Sequence, residues 1–191
     1  PVEKTITSAG NNICYNTSTN VEINGSDANV LYSVYDASDD SFLGSVNGNG
    51  GLATVATGNL VNASYTYYVI ARNTVTTCER RNTDEVTINV NPRFELALLQ
   101  EDASICLNDN YDFRINMTGG TGPYDVVYNA APGGNTTRNN YVSGTNITTG
   151  ALANTTVYSL VSVVDDRGCP VEDLTPTITI TVGAAYTSAT L

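Results

Sequence analysis

Val86-Thr-Ile-Asn-Val90 recurs as Ile178-Thr-Ile-Thr-Val182, 92 residues further on. In both stretches the apolar residues take every second place, which turns Val86, Ile88 and Val90 toward one face of an extended chain and Thr87 and Asn89 toward the other. That is the period of a half-buried strand, not of a helix. Other segments keep nearly the same offset. Val21-Glu-Ile-Asn24 matches Phe113-Arg-Ile-Asn116, Tyr32-Ser-Val34 matches Tyr124-Asp-Val126, and Leu60 matches Leu152. Cys106 follows Cys14 by 92, Cys169 follows Cys78 by 91, and Pro92 follows Pro1 by 91. The chain is therefore a duplication with a period near 91 residues.

Turn chemistry separates the alternating runs. Asn24-Gly25, Asn47-Gly-Asn-Gly-Gly51, Gly119-Gly-Thr-Gly122 and Gly133-Gly134 are residues that tolerate positive φ. Between them lie about seven short strands per copy and no helical pattern. The fold class expected is all-β: two tandem immunoglobulin-like β-sandwiches of the fibronectin III or PKD-like kind. The domains expected are residues 1–91 and 92–183, with 184–191 a tail or the start of a following repeat. The start at Pro1 and this short tail are read as cuts in a longer protein. Asn91-Pro92 leaves little slack, so a stiff end-to-end arrangement is expected.

Four cysteines, no short Cys-x-x-Cys pair and no histidine argue for disulfides rather than zinc or a redox dithiol. The spans within each copy agree, 78 − 14 = 64 and 169 − 106 = 63. Symmetry then selects one intradomain bridge per copy, Cys14 with Cys78 and Cys106 with Cys169, tying the start of strand B to the F–G hairpin. Closing such a loop removes unfolded-chain entropy worth roughly 4 kcal/mol. Reduction would then lower the melting point sharply.

Composition excludes several functions. Eight basic against 19 acidic residues, a net charge of −11, leave no positive stripe for phosphates, so nucleic acid is not an expected partner. No run of about 18 apolar residues suggests membrane insertion. Without histidine, neither a Ser-His-Asp nor a Cys-His nucleophile can be assembled. Asp165-Asp166 beside Gly168 reads as a solvated turn rather than a glycosidase pair. No catalytic residue, cofactor or metal ligand is assigned. Asp36, Asp39 and Asp40, and Glu101 with Asp102, could offer oxygens to calcium, but their spacing is not that of a calcium loop, and solubilising surface acid is the simpler reading. Among the 12 tyrosines, Tyr68, Tyr141 or Tyr186 would serve as a sugar-stacking platform if exposed. Seven Asn-x-Ser/Thr triplets, Asn16, Asn24, Asn62, Asn116, Asn135, Asn146 and Asn154, match the glycosylation pattern in a chain rich in both residue types.

Two resemblances add to this. Leu60-Val-Asn-Ala-Ser-Tyr-Thr-Tyr67 and Leu152-Ala-Asn-Thr-Thr-Val-Tyr158 resemble the strand E to F crossing of fibronectin III domains. It implies a structural tyrosine corner at Tyr67 and Tyr158, whose hydroxyls would bond the upstream backbone. Thr118-Gly-Gly-Thr-Gly-Pro-Tyr124 followed by Val126-Val-Tyr128 resembles the strand C opening of immunoglobulin-like and PKD-like repeats in very large surface adhesins of gliding Bacteroidetes. The first copy has Ser26-Asp-Ala-Asn-Val30 instead. That resemblance implies a non-catalytic segment of a long adhesin for gliding or attachment, exported by the type IX route to the outer cell surface. Its partners would be neighbouring repeats of the same chain and surface polysaccharide or glycan, the fragment itself being monomeric. A glycan- or protein-binding module and an accessory domain pair of a secreted hydrolase are the competing readings.

Overall fold

The computed structural model describes residues 1–98 and 101–184. The chain divides into two compact units at Asn91/Pro92.

The first unit has eight strands: β1 (Ile6–Ser8), β2 (Asn12–Ile13), β3 (Asn20–Ile23), β4 (Val30–Asp36), β5 (Phe42–Asn47), β6 (Ala53–Ala56), β7 (Ser64–Asn73) and β8 (Glu79–Val90). They form a three-stranded sheet in the order β1-β3-β6 and a five-stranded sheet in the order β2-β8-β7-β4-β5. Alternation places Val21 and Ile23 of β3, Val34 of β4 and Ile88 of β8 in the interior with no exposed surface. Each such side chain contributes roughly 1.5–3 kcal/mol by leaving water. All pairings are antiparallel except one: β2 runs parallel to the end of β8, with Ile13 opposite Val90. A two-sheet packing with the first edge strand split between the sheets is the immunoglobulin arrangement.

The second unit repeats it with β9 (Phe94–Leu98), β10 (Ala103–Cys106), β11 (Asp112–Gly119), β12 (Tyr124–Ala131), β13 (Gly134–Tyr141), β14 (Asn146–Thr148), β15 (Thr156–Asp165) and β16 (Thr177–Gly183). Its sheets are β14-β11-β9 and β10-β16-β15-β12-β13. Again one pair is parallel, β10 on β16, with Cys106 opposite Gly183. Phe113, Ile115, Val126, Ile178 and Ile180 fill the interior. The expected all-β class holds, with eight strands per copy among the described residues rather than about seven. The extra one is the short strand, β2 or β10, that lies parallel to the last.

That short strand overturns the expected disulfides. Cys14 follows Ile13 and so lies where β8 ends, whereas Cys78 stands just before β8 begins. Twelve residues of strand separate them, about 35 Å at the usual rise, against the ~7 Å between Cα atoms that a disulfide spans. In the second unit Cys106 lies beside Gly183 at the end of β16, while Cys169 sits past the far end of β15, where its carbonyl accepts from Asp165 N at 3.0 Å. The ten residues of β15 hold those two apart by roughly 30 Å. Cys78 and Cys106 are free, exposed thiols, and Cys14 and Cys169 are disulfide-bonded. Neither intradomain pair, Cys14–Cys78 or Cys106–Cys169, is made.

Candidate functional site

Each unit carries a cysteine at either end, and each end is built by the same contacts in both copies. At the first end, Cys14-Tyr-Asn-Thr17 and Cys106-Leu-Asn-Asp109 form matching turns. Asn16 and Asn108 adopt φ of 58° and 66°, a region where asparagine is the most tolerant residue after glycine. Asn16 N donates to Leu60 O at 2.8 Å and Asn108 N to Leu152 O at 2.9 Å. Leu60 N and Leu152 N return bonds of 2.9 Å to Thr17 O and Asp109 O. The turn after the short strand is thereby fixed to the crossing between the sheets.

At the opposite end the turn between the last two strands holds Cys78 or Cys169. Asn73 N donates to Cys78 O at 2.9 Å, as Asp165 N does to Cys169 O. Asn73 Oδ1 accepts from Val75 N and Thr76 N at 2.9 and 2.8 Å. Asp165 does more. Its Oδ1 accepts from Arg167 N at 3.0 Å and Cys169 N at 2.8 Å, and its Oδ2 from Thr121 N at 2.9 Å. Asp165 is 4% exposed, so the expected solvated Asp165-Asp166 turn is corrected: one carboxylate is buried and organises two loops, and only Asp166 faces water.

The tyrosine corner also moves. Tyr65, not Tyr67, bonds upstream: its hydroxyl accepts from Val61 N at 3.3 Å and Asn62 N at 3.2 Å. Tyr67 is a core residue, 2% exposed, with its ring stacked 6.2 Å from Tyr65. Burial, with Asp36 and Tyr65 nearby, pushes its hydroxyl up to about 12. Tyr158 likewise packs in the core, 4.9 Å from Phe113 and 6.1 Å from Tyr128. Burial raises its pKa, followed by Tyr128, while the Thr149 hydroxyl lowers it. At the position of Tyr65 the second copy has Thr156 (156 − 65 = 91), which donates to Asn154 O at 2.9 Å. The pair Tyr67/Tyr158 recurs because it fills the core, and recurrence does not mark the corner.

One feature of the first unit has no counterpart among the described residues of the second. On the outer face of the five-stranded sheet, Phe42, Tyr35, Tyr68 and Glu85 stand opposite one another on β5, β4, β7 and β8. Tyr35 meets Phe42 edge-on at 5.5 Å and stacks on Tyr68 at 5.4 Å. The Arg81 guanidinium lies 3.8 Å above the Tyr68 ring and bonds Glu85 at 2.9 Å. Phe42 ends the ladder 58% exposed. Tyr68 and Tyr141 are buried and Tyr186 lies outside the described residues. Phe42, which only the strand register reveals, is the open ring. Ser159 replaces Tyr68 in the second copy (159 − 68 = 91).

The acidic loop turns its carboxylates to local donors. Asp36 Oδ1 accepts from Ser38 N and Oγ, Asp39 Oδ1 from Ser41 N, and Asp40 Oδ1 from the Tyr68 hydroxyl at 2.9 Å. The Ser41 bonds lower the Asp39 carboxyl, and the Asp40 bond leads the rise of Tyr68. Among the described residues no three His, Cys, Asp or Glu side chains converge on a metal position.

Residues 1–92 match the family described as Ig-like domain CHU_C associated. The fold is immunoglobulin-like. No curated protein matches the chain. Among solved structures, titin domains I67–I69 are similar over 96% of this chain and 67% of that one, at 11% identity and a TM-score of 0.51. The fibronectin(III)-like modules of Clostridium thermocellum CbhA are similar over 92% and 90%, at 12% identity and 0.41. Drosophila N-cadherin EC1–4 is similar over 97% and 50%, at 9% identity and 0.49.

Proposed function

We propose that the chain is a non-catalytic repeat segment of a long cell-surface adhesin, extending a binding end away from the cell for attachment or gliding. The observation that carries this reading is the parallel pair present in both copies, β2 on β8 and β10 on β16. When the two ends of a unit are pulled apart, strands running in the same direction slide past one another, so their hydrogen bonds break together rather than one by one. The duplication and the family match over residues 1–92 support the same reading. Its partners are neighbouring repeats, and its place is outside the cell. The test is on cells of the source organism. Antibody raised against residues 1–191 should label intact cells, and in-frame removal of the segment should weaken attachment or spreading. Label found only after lysis would contradict the proposal.

A second reading rests on the exposed Phe42 ladder, a stacking surface for a sugar ring or an apolar protein side chain. Phe42→Ala should then abolish binding on a glycan array while leaving the melting temperature within a degree or two. An array empty for the unaltered chain contradicts it.

A further inference from the structure

The Asn-Gly pairs of the chain all lie in its first copy: Asn24-Gly25, Asn47-Gly48 and Asn49-Gly50. In such a pair the glycine's own main-chain nitrogen can attack the asparagine amide, because no Cβ shields the approach. The fold treats the three pairs differently. Gly48 N is committed to Val30 O at 2.8 Å, and Asn47 is held in β5 opposite Leu31. A side chain added at Gly48 would collide with Asp27 O, so the backbone there is packed in place. Asn24 and Gly25 are exposed, but Asn24 Nδ2 donates to Thr5 O at 3.2 Å and to Thr7 Oγ1 at 2.9 Å. Both bonds strengthen the amide resonance that the reaction must break, and no donor among the described residues reaches Asn24 Oδ1. Asn49 is arranged the other way. Its Oδ1 accepts from Gly51 N at 2.8 Å and lies 3.2 Å from Ser26 Oγ, while its Nδ2 keeps one long bond of 3.3 Å to Leu52 O. The Gly51 bond folds the side chain back along its own main chain, toward the Gly50 nitrogen that lies between. Gly50 is exposed, has a φ of 87° and open space where a Cβ would stand, and its N–H meets no acceptor among the described residues. Ser26 is buried and its Oγ accepts from Asn49 N at 3.1 Å, leaving its hydroxyl proton to Gly51 O at 2.8 Å or to Asn49 Oδ1.

We infer that Asn49 is a self-modification site, at which the chain converts its own asparagine to aspartate and isoaspartate. Gly50 N loses its proton to hydroxide and bonds to Asn49 Cγ. The negative charge that gathers on Oδ1 is met by the Gly51 N–H and the Ser26 hydroxyl, as donors meet it in an oxyanion hole. The Cγ–Nδ2 bond then breaks, Nδ2 leaves as ammonia with a proton from water, and a five-membered imide is closed. Water adds to either imide carbonyl. Breaking the bond between Cγ and Gly50 N gives aspartate. Breaking the bond between the Asn49 main-chain carbonyl and Gly50 N gives isoaspartate, with one more methylene in the backbone. One water is consumed for each ammonia released, and no electrons change hands. A carboxylate at this position remains an acceptor for Gly51 N, so aspartate fits the turn. Isoaspartate lengthens the span between β5 and β6 and draws Gly51 away from Ser26. The step needs no enzyme, so both products accumulate with the age of the chain. The inference does not depend on the repeat-segment reading.

The test keeps the intact chain at mildly alkaline pH in heavy-oxygen water, folded or in concentrated urea, and samples it over time. Fragmentation mass spectrometry of peptides separates Asn47 from Asn49 and detects the heavy oxygen that enters when the imide opens. In the folded chain Asn49 should convert about tenfold faster than Asn24, with Asn47 unchanged. In urea the three should convert at similar rates, since each is then an Asn-Gly pair in an open chain. Asn24 or Asn47 converting first in the folded chain would overturn the inference. So would an Asn49 that stays unconverted while folded, or a ranking that urea leaves unaltered.

Discussion

Tyr65 and Tyr67 lie two places apart on β7, and their hydroxyls meet different surroundings. Tyr65 accepts two backbone N–H groups from the crossing before it, whereas Tyr67 is buried with its hydroxyl pushed up to about 12. Tyr65→Phe should lower stability by about 0.5–1 kcal/mol, and Tyr67→Phe should be neutral or slightly stabilising. Urea denaturation of both variants checks the ordering, and the reverse ordering would restore Tyr67 as the corner. The pH dependence follows from the same residue. Its folded pKa lies above the ordinary value of 10.0, so between the two the unfolded chain holds fewer protons than the folded one. Stability is complete below pH 10 and falls as pH rises toward 12. Tyr68, Tyr124 and Tyr158 shift in the same direction. An alkaline denaturation series should show the fall, and Tyr67→Phe should flatten it. The sequence showed that Tyr67 and Tyr158 correspond. It did not separate a tyrosine repeated for volume from one placed for its hydroxyl, because that distinction depends on which backbone groups come within 3.3 Å.

At the scale of elements, alternation located the long strands, since Val86-Thr-Ile-Asn-Val90 lies wholly within β8 and Ile178-Thr-Ile-Thr-Val182 within β16. Two-residue β2 and four-residue β10 gave no such signal. They are too short for a period to show, and their parallel pairing depends on strands far along the chain. Missing them displaced Cys14 and Cys106 to the wrong end of each sandwich. The equal spans of 64 and 63 residues report only that the copies correspond. Loop chemistry was legible in kind but not in consequence, as Asp165 shows. Its carboxylate joins the turn holding Cys169 to Thr121 in the loop before β12. Asp165→Asn keeps the shape but replaces one acceptor oxygen with a donor facing N–H groups. It should cost about 2–3 kcal/mol. Thermal unfolding checks this, and a variant as stable as the parent would mean that water replaces the carboxylate without loss.

The whole molecule is a duplicated sandwich, and its proposed role depends on how each copy meets load. In both units the second strand runs parallel to the one by which the chain leaves, but the grip differs. In the first, β2 contributes two residues, anchored by Asn89 N to Asn11 O and Asn91 N to Ile13 O, both at 2.8 Å. In the second, β10 contributes four. The first unit should therefore yield at lower force than the second. Single-molecule pulling of the chain by its ends, with reductant present, tests this most directly. Two separate unfolding events are expected, each releasing roughly 30 nm of chain, with Ile13→Pro weakening the first and sparing the second. Smooth extension without events, or loss of both events in that variant, would contradict a pair of independently load-bearing sandwiches.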